Sequence, residues 1–422
     1  DQTEAARLFQ ALELNSFYSK FGIPPDKGTE ASEAETEAEH TPLEEGTLPA
    51  VLKAERLYLL ADKADGVYFS DGRQYVHIGK EEADTALSDV FSSGAALFTF
   101  GAKPFYKAAR RLGFAKTQTL FDAELAAYLL KPDAKTYDVA ALARSYVSGA
   151  TIEGPEDLAA LAVLPRLCSE LYEQLCAQEM DTLFNEIELP LCEVLADMEY
   201  EGFAVDRAGV EEFGRMLDEG IAEVTEEIYR LAGRHFNINS TRELGEVLFE
   251  ELKLPAGKKT KTGYSTSAEV LESIAALHEI VPAVLEYRKL SKLASTYVTG
   301  LLKVVGEDGR VHSTFNQTET RTGRISSSEP NVQNIPVRTK LGSEMRRFFV
   351  AREGYVLVDA DYSQIELRIL AHIAEDQNML RAFNEKADIH TETAAQVFGL
   401  SADMVPPELR SRAKAINFGI VY

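Results

Sequence analysis

The stretch GYVLVDADYSQIELRILAHIA, residues 354 to 374, passes from an unbroken apolar run through two aspartates into a segment with helical spacing. Read alone, YVLV (Tyr355 to Val358) is a strand covered on both faces, since such a strand can dispense with alternation. The following SQIELRILAHIA is a helix in which Ile365, Ile369 and Ile373 recur every fourth residue as one stripe. A carboxylate at the joint, Asp361, is placed to hold Mg²⁺, because hard cations take oxygen ligands and a strand end fixes their position. Two plainer uses compete. Asp361 also suits a turn, and Ser363 with Glu366 three residues later matches a capping box.

A second stretch, RSRAKAINFGIVY (Arg410 to Tyr422), carries Arg410, Lys414, Phe418 and Tyr422 at four-residue spacing. At about 100° per residue these positions drift by roughly 40° per step, forming one stripe about 18 Å long. The two cations suit a polyphosphate, and the two rings offer flat faces to a sugar and a base. A nucleoside triphosphate has those parts in that order. An amphipathic core helix with buried rings and snorkelling cations has the same pattern.

With 422 residues, 45% of them hydrophobic, the chain has room for two to four domains with sizeable cores. Cys168, Cys176 and Cys192 form no C-x-x-C pair and no zinc spacing, which points to packing roles in a reducing compartment. No run of eighteen apolar residues occurs, and DQTEAARLFQ lacks a basic region followed by an apolar one, so neither membrane nor secretion is indicated. The net charge of -24 opposes nucleic-acid binding as a global number. Its distribution along the chain points the other way. Residues 26 to 46 hold eight acids against one lysine and read as a disordered or surface linker. From Arg321 to Arg352 seven Arg and Lys face two Glu, a tract able to grip an anion or simply a solvated face.

Residues 1 to 23 read as a short helix, EAARLFQALEL, at the tail of something cut off upstream. After Leu48, RLYLLA, GVYFS and QYVHIG are strands separated by the turn signals DKADG and SDGR, and PFYKAARRLGF, AELAAYLL and VAALARSYV are helices. Residues 186 to 305 are mainly helical, with Gly233 near one helix end and Ser267 as the N-cap of AEVLESIAAL. They are interrupted by the loop LKLPAGKKTKTGYSTS, whose Lys258, Lys259 and Lys261 suit a phosphate backbone or plain solvation.

TGRISSSEPNVQNIP (322 to 336), DYSQIELR (361 to 368), DIHTETAAQVFG (388 to 399) and RSRAKAINFGIVY (410 to 422), in that order, resemble the A-family DNA polymerases, the family of bacterial DNA polymerase I. The likeness runs from about residue 48 and is densest after residue 310. It implies a multidomain α+β chain: an RNase H-like 3′-5′ exonuclease-like domain, then a right-hand polymerase with helical thumb, palm and the start of the fingers. The expected division is 1–25 the tail of a removed 5′ nuclease domain, 26–47 acidic linker, 48–185 exonuclease-like domain, 186–310 thumb, 311–380 palm and 381–422 fingers. The implied activity is template-directed 5′ to 3′ addition of deoxynucleotides to a primer, in replication and repair, with two Mg²⁺ ions as cofactors. By the same resemblance Asp361 and the Tyr362 carbonyl hold metal, and Glu366 blocks a ribose 2′-OH. His390, Arg410, Lys414, Phe418 and Tyr422 bind the incoming deoxynucleoside triphosphate, Lys414 also acting in catalysis. Arg324, Gln333, Asn334 and Arg368, with Lys258 and Lys259, contact primer-template DNA. A monomer in the bacterial cytoplasm, at the nucleoid, is expected.

Two departures qualify the resemblance. Proofreading members carry an acid-x-acid triplet ending the first strand of the exonuclease domain, where RLYLLA here runs into DKAD. Lys107 stands where a further metal-binding aspartate is expected, and residues 150 to 185 lack the expected tyrosine and aspartate pair. A cation in place of a carboxylate reverses the charge a metal needs, so the exonuclease is expected to be inactive. The family pattern also continues beyond Tyr422 with the second catalytic aspartate. If the chain really ends at Tyr422, the alternative is a DNA-binding fragment without catalysis.

Overall fold

Strand positions follow from side chains able to bury on both faces. In RLYLLA, Leu57 and Leu59 are wholly buried on one face and Tyr58 and Leu60 nearly so on the other, which makes this the central strand of a sheet. The computed structural model describes residues 43–62, 66–149, 155–256, 259–260, 263–335 and 340–421. They fall into two units, residues up to Val350 and those from Ala351. The expected first helix, most of the acidic linker, Lys258, Lys261 and Tyr422 lie outside the described residues.

The first unit opens with a six-stranded sheet: β1 (Glu44–Glu45), β2 (Arg56–Ala61), β3 (Val67–Ser70), β4 (Gln74–Ile78), β5 (Ala96–Thr99) and β6 (Leu120–Asp122). Its order is β1-β4-β3-β2-β5-β6. The β2-β3-β4 meander is antiparallel, while β5 runs parallel to β2 and β6 to β5. The β3-β4 turn is built by Asp71, whose Oδ1 accepts from the amides of Arg73 at 2.8 Å and Gln74 at 2.7 Å around Gly72 at φ +90°. β1 corrects the linker expectation at its end. Glu44 and Glu45 pair in parallel with Gln74 and Tyr75 through backbone alone, which the exposed edge of β4 permits to any residue.

The helices α1 (Lys80–Ser92), α2 (Lys103–Arg111), α3 (Ala123–Leu130), α4 (Val139–Tyr146), α5 (Glu156–Ala177) and α6 (Leu189–Glu201) complete this layer. One apolar cluster runs through the sheet and these helices from Val51 to Ala196, and takes in Leu161, Leu164, Leu167, Leu171 and Leu175 of α5. Each such leucine contributes roughly 1.5–3 kcal/mol by leaving water.

Beyond it, α7 (Arg207–Ala232) is N-capped by Asp206, which accepts from the Gly209 amide at 3.0 Å, and stops at Gly233 in the left-handed conformation, φ +73°. α8 (Ile280–Lys292) packs along α7, with Val210, Phe213 and Leu217 meeting Leu290, Leu293 and Leu301 in one cluster. Ser267 occupies the expected N-cap position before Ala268–Ser273 but makes no side-chain capping bond. Part of the Lys-rich loop is paired: β8 (Lys259–Thr260) and β9 (Gly263–Tyr264) run antiparallel as a two-stranded sheet. β7 (Phe203–Val205), β10 (Arg310–Val311) and β13 (Phe349–Val350) form a three-stranded antiparallel sheet. β11 (Thr314–Asn316) and β12 (Ser326–Ser328) form a two-stranded one.

The second unit overturns three expectations. Tyr355 to Val358 form no strand, and Val358 is 84% exposed; no neighbouring strand among the described residues supplies a ladder, without which an apolar run has neither pairing nor cover. The stripe Ile365, Ile369, Ile373 of α9 (Ile365–Ala374) is exposed. Leu367 and Ala371 are buried instead, and Leu367 packs with Ala382 of α10 (Gln377–Asn384) and Ile389 of α11 (Ile389–Phe398). The capping box does not form either: the N-cap is Gln364, in the left-handed region at φ 55° and without a side-chain bond. The last helix, α12 (Pro407–Val421), is continuous and packs on α11.

Candidate functional site

Asp361 and Tyr362 lie in an exposed irregular segment before the turn that leads into α9, Tyr362 at 81% exposure. Glu366 occupies the first turn of α9, and Arg368 holds the preceding turn. The Arg368 Nε donates to the Ser363 carbonyl at 2.9 Å, and its guanidinium lies 4.6 Å above the Phe383 ring. That placement gives Arg368 an internal task, orienting the segment behind Asp361. The Asp361 carboxylate and Tyr362 carbonyl are hard oxygen donors of the kind Mg²⁺ takes. No group of three or more His, Cys, Asp and Glu among the described residues is arranged to hold a metal. These two donors therefore fit one side of such a site.

Between α11 and α12 the polar residues interlock. Asp388 caps α11, accepting from the His390 amide at 3.0 Å and from the Thr391 hydroxyl at 3.1 Å, and it receives the Arg410 Nε. Burial opposes its charge, but these three donors outweigh it and hold the carboxyl below the usual range. His390 is 1% exposed. Burial lowers its affinity for a proton; Asp388 works against this, while Arg410 and Lys414 add to it. Its ring lies 5.7 Å from that of Phe418, and the Lys414 ammonium also lies 5.7 Å from the Phe418 ring. The structure thus brings His390, Arg410, Lys414 and Phe418 together within one unit. Sequence reasoning missed Asp388, Thr393 and Asn417, which organise the group; only the Asp before an apolar helix carried a signal, that of an N-cap.

In the first unit the Gln333 Nε2 donates at 2.8 Å to the carbonyl of Ile325, the residue that follows Arg324 in the chain. Asn331 caps the short turn Val332–Asn334 by accepting from the Gln333 and Asn334 amides at 3.1 and 3.2 Å. The Tyr297 hydroxyl donates to the Asn334 carbonyl at 2.7 Å, tying the helical region to this turn. Both Gln333 and Asn334 face solvent. The backbone of Lys259 is in β8, and its side chain lies outside the described residues.

Lys107 is paired with a single carboxylate, and no group of three or more His, Cys, Asp and Glu placed to hold a metal occurs among the described residues. The Lys107 Nζ donates to Glu199 Oε2 at 2.8 Å, and the Lys103 Nζ donates to Glu199 Oε1 at 2.5 Å and to the Phe315 carbonyl at 2.6 Å. The Phe315 amide donates to Glu199 Oε1 at 2.9 Å. Burial alone would raise the Glu199 carboxyl, but the two lysines and this amide hold it below its usual range. The acids of the sheet are engaged locally. Asp122 accepts from the Gly101 and Ala102 amides at 2.9 and 2.7 Å, and Asp62 meets His77 at 2.6 Å. Cys168 and Cys192 are buried, and their thiols are pushed up by that burial, as packing roles require.

The model of DNA polymerase family A matches residues 207–422. DNA polymerase I of Geobacillus stearothermophilus is 41% identical over 462 aligned positions, covering all of this chain and 51% of its own length. The thermostable DNA polymerase I of Thermus aquaticus is 48% identical over 305 residues, covering 71% of this chain and 36% of its own length. The chain thus spans about half, or less, of these relatives. Among solved structures, the POL domain of Pol1 from M. smegmatis, in complex with DNA primer-template and dNTP, matches with a TM-score of 0.77 and 33% identity. That match covers 88% of this chain and 69% of the other.

Proposed function

Because the chain belongs to DNA polymerase family A, we propose that its residues serve template-directed addition of deoxynucleotides to the 3′ end of a primer. The observation that carries the reading is the face between α11 and α12, where a buried His390, the Lys414 ammonium and the Phe418 ring converge. The triphosphate of an incoming nucleotide finds cations there and its base a ring. Lys414 neutralises charge, or gives a proton, at the pyrophosphate leaving group. Arg410, drawn from Asp388, adds a bidentate donor, and Tyr422 a second ring. Asp361 and the Tyr362 carbonyl would hold Mg²⁺. When bound, two such ions ease deprotonation of the primer hydroxyl and stabilise the leaving group. Glu366 excludes a 2′-OH. Arg324, Gln333 and Asn334 sense minor-groove acceptors that are nearly the same for every base pair, so geometry is checked and sequence is not read.

We assign residues 48–185 to a degenerate exonuclease-like domain, residues 186–310 to the thumb, 311–380 to the palm and 381–422 to the fingers, in a monomer of the bacterial cytoplasm. The pairing of Lys107 with Glu199 supports an inactive exonuclease. Among the described residues no helix is long and apolar enough to cross a membrane.

A second reading, a primer-template-binding unit without catalysis, is not favoured by the family match. Primer extension by this polypeptide in Mg²⁺ and deoxynucleoside triphosphates separates them. The expected result is extension that Asp361→Ala abolishes while a gel shift still shows DNA binding; binding without extension by the unsubstituted chain would leave the second reading.

A further inference from the structure

Asn417 sits on α12 one residue before Phe418, facing α11. Its Nδ2 donates to the Thr393 Oγ1 at 3.0 Å and to the His390 Nδ1 at 3.0 Å. The direction of this chain is set at Thr393, whose hydroxyl spends its own hydrogen on the Ile389 carbonyl one turn back, at 2.8 Å. Thr393 can therefore only accept from Asn417, which fixes the amide with its NH₂ toward α11. The same NH₂ then makes Nδ1 of His390 an acceptor. A neutral imidazole that accepts at Nδ1 carries its proton on Nε2. His390 has no other side-chain hydrogen bond among the described residues, so the Nε2–H is left available.

We propose that Asn417 is a positioning residue of the nucleotide site: it locks His390 in the Nε2–H form, so that the ring offers one oriented donor to the triphosphate beside Lys414. This deepens the nucleotide-site reading above and rests on it. A neutral donor has a use that a third cation would not. Arg410 and Lys414 already supply charge, and a hydrogen bond of fixed direction adds orientation without a further buried cation to desolvate. Burial of His390 beside those two cations favours the neutral ring.

The test uses the whole 422-residue chain labelled with ¹⁵N-histidine, with the His390 signals assigned by their loss in His390→Gln, and equilibrium dialysis of dATP in Mg²⁺ on the same samples. In the unsubstituted chain Nδ1 should resonate as an unprotonated nitrogen and Nε2 as a protonated one. Asn417→Asp, of the same shape, replaces the donor by an acceptor and should protonate Nδ1. Asn417→Leu, similar in size and nonpolar, should weaken dATP binding by about tenfold, the loss of one oriented bond to a charged group, with the circular dichroism of the helices unchanged. A protonated Nδ1 in the unsubstituted chain, an unaltered Nδ1 in Asn417→Asp, or unweakened dATP binding by a folded Asn417→Leu would each overturn the proposal. Failure of the unsubstituted chain to bind dATP would instead overturn the nucleotide-site reading on which it rests.

Discussion

Replacing Glu199 by alanine should destabilise the first unit by about 3–5 kcal/mol, the cost of stripping one partner from a buried ion pair. The partial exposure of the two lysines puts this case at the lower end. Glu199 is 4% exposed and accepts from two ammonium groups and one amide, while Lys103 also reaches the neighbouring Phe315 carbonyl. Its loss leaves two lysines beside each other without their counterion. Lys103, with its side chain 20% exposed, is the costlier to strand; Lys107, at 39%, can turn to water. The order of damage should be Glu199→Ala, then Lys103→Ala, then Lys107→Ala. Urea unfolding followed by circular dichroism gives the free energies, and hydrogen exchange at residues 313–317 locates the loss. Because the folded carboxyl is held below its usual range, the contribution is full at neutral pH. It begins to fade below the unfolded value near pH 4.5 and is gone once pH has passed below the folded value. A Glu199→Ala cost under about 1 kcal/mol, the worth of a surface pair, would refute the reasoning.

Other outcomes follow from single groups. Glu124 accepts from the Thr318 hydroxyl at 3.1 Å, and burial together with nearby Asp122 pushes its carboxyl up to about 7. A raised carboxyl favours the protonated folded state, so wild-type stability should fall as pH rises from about 4.5 to about 7 and then level. Glu124→Gln should remove that slope and be the more stable protein at pH 8, as thermal midpoints across pH would record. Lys107→Asp should place a second acid against Glu199 and lower stability without creating nuclease activity; nucleotide release from a 3′-labelled strand checks the latter. Glu366→Ala should admit ribonucleotides in primer extension, and unchanged rejection would return Glu366 to a purely helical role.

Much of the first sheet was legible because its signals are local. β2, β3 and β4 alternate or fill both faces between turn residues, and Asp71 with Gly72 builds the turn that SDGR promised. β1 was not legible: two exposed glutamates join the sheet by backbone pairing, which leaves no mark in side-chain pattern. The pairing of Lys259–Thr260 with Gly263–Tyr264 was hidden for the same reason. In α9 the difficulty is different. Ile365, Ile369 and Ile373 recur every four residues, but so do Leu367 and Ala371, and only the second set is buried. Helical spacing says which residues share a face. It does not say which face has a neighbour.

The site divides along the same line. Lys414 and Phe418 were readable because both lie on one helix, whose geometry orders them whatever surrounds it. The groups that orient them were not, since Asp388 reaches Arg410 and Asn417 reaches His390 across separations of 22 and 27 residues. Polar residues at such separations carry no periodic signal. Lys107 joins the two cases: its charge was visible in the sequence, but not what answers it. Lys107 has no acid within reach on its own helix, and the half-buried ammonium is answered from another element, where α6 supplies Glu199. The carboxylate that neutralises Lys107 also accepts from the Phe315 amide of β11. An acid at position 107 would therefore repel Glu199 and weaken the contact to β11, so the lysine at this position and the joining of the sheet to the segment after it are one arrangement.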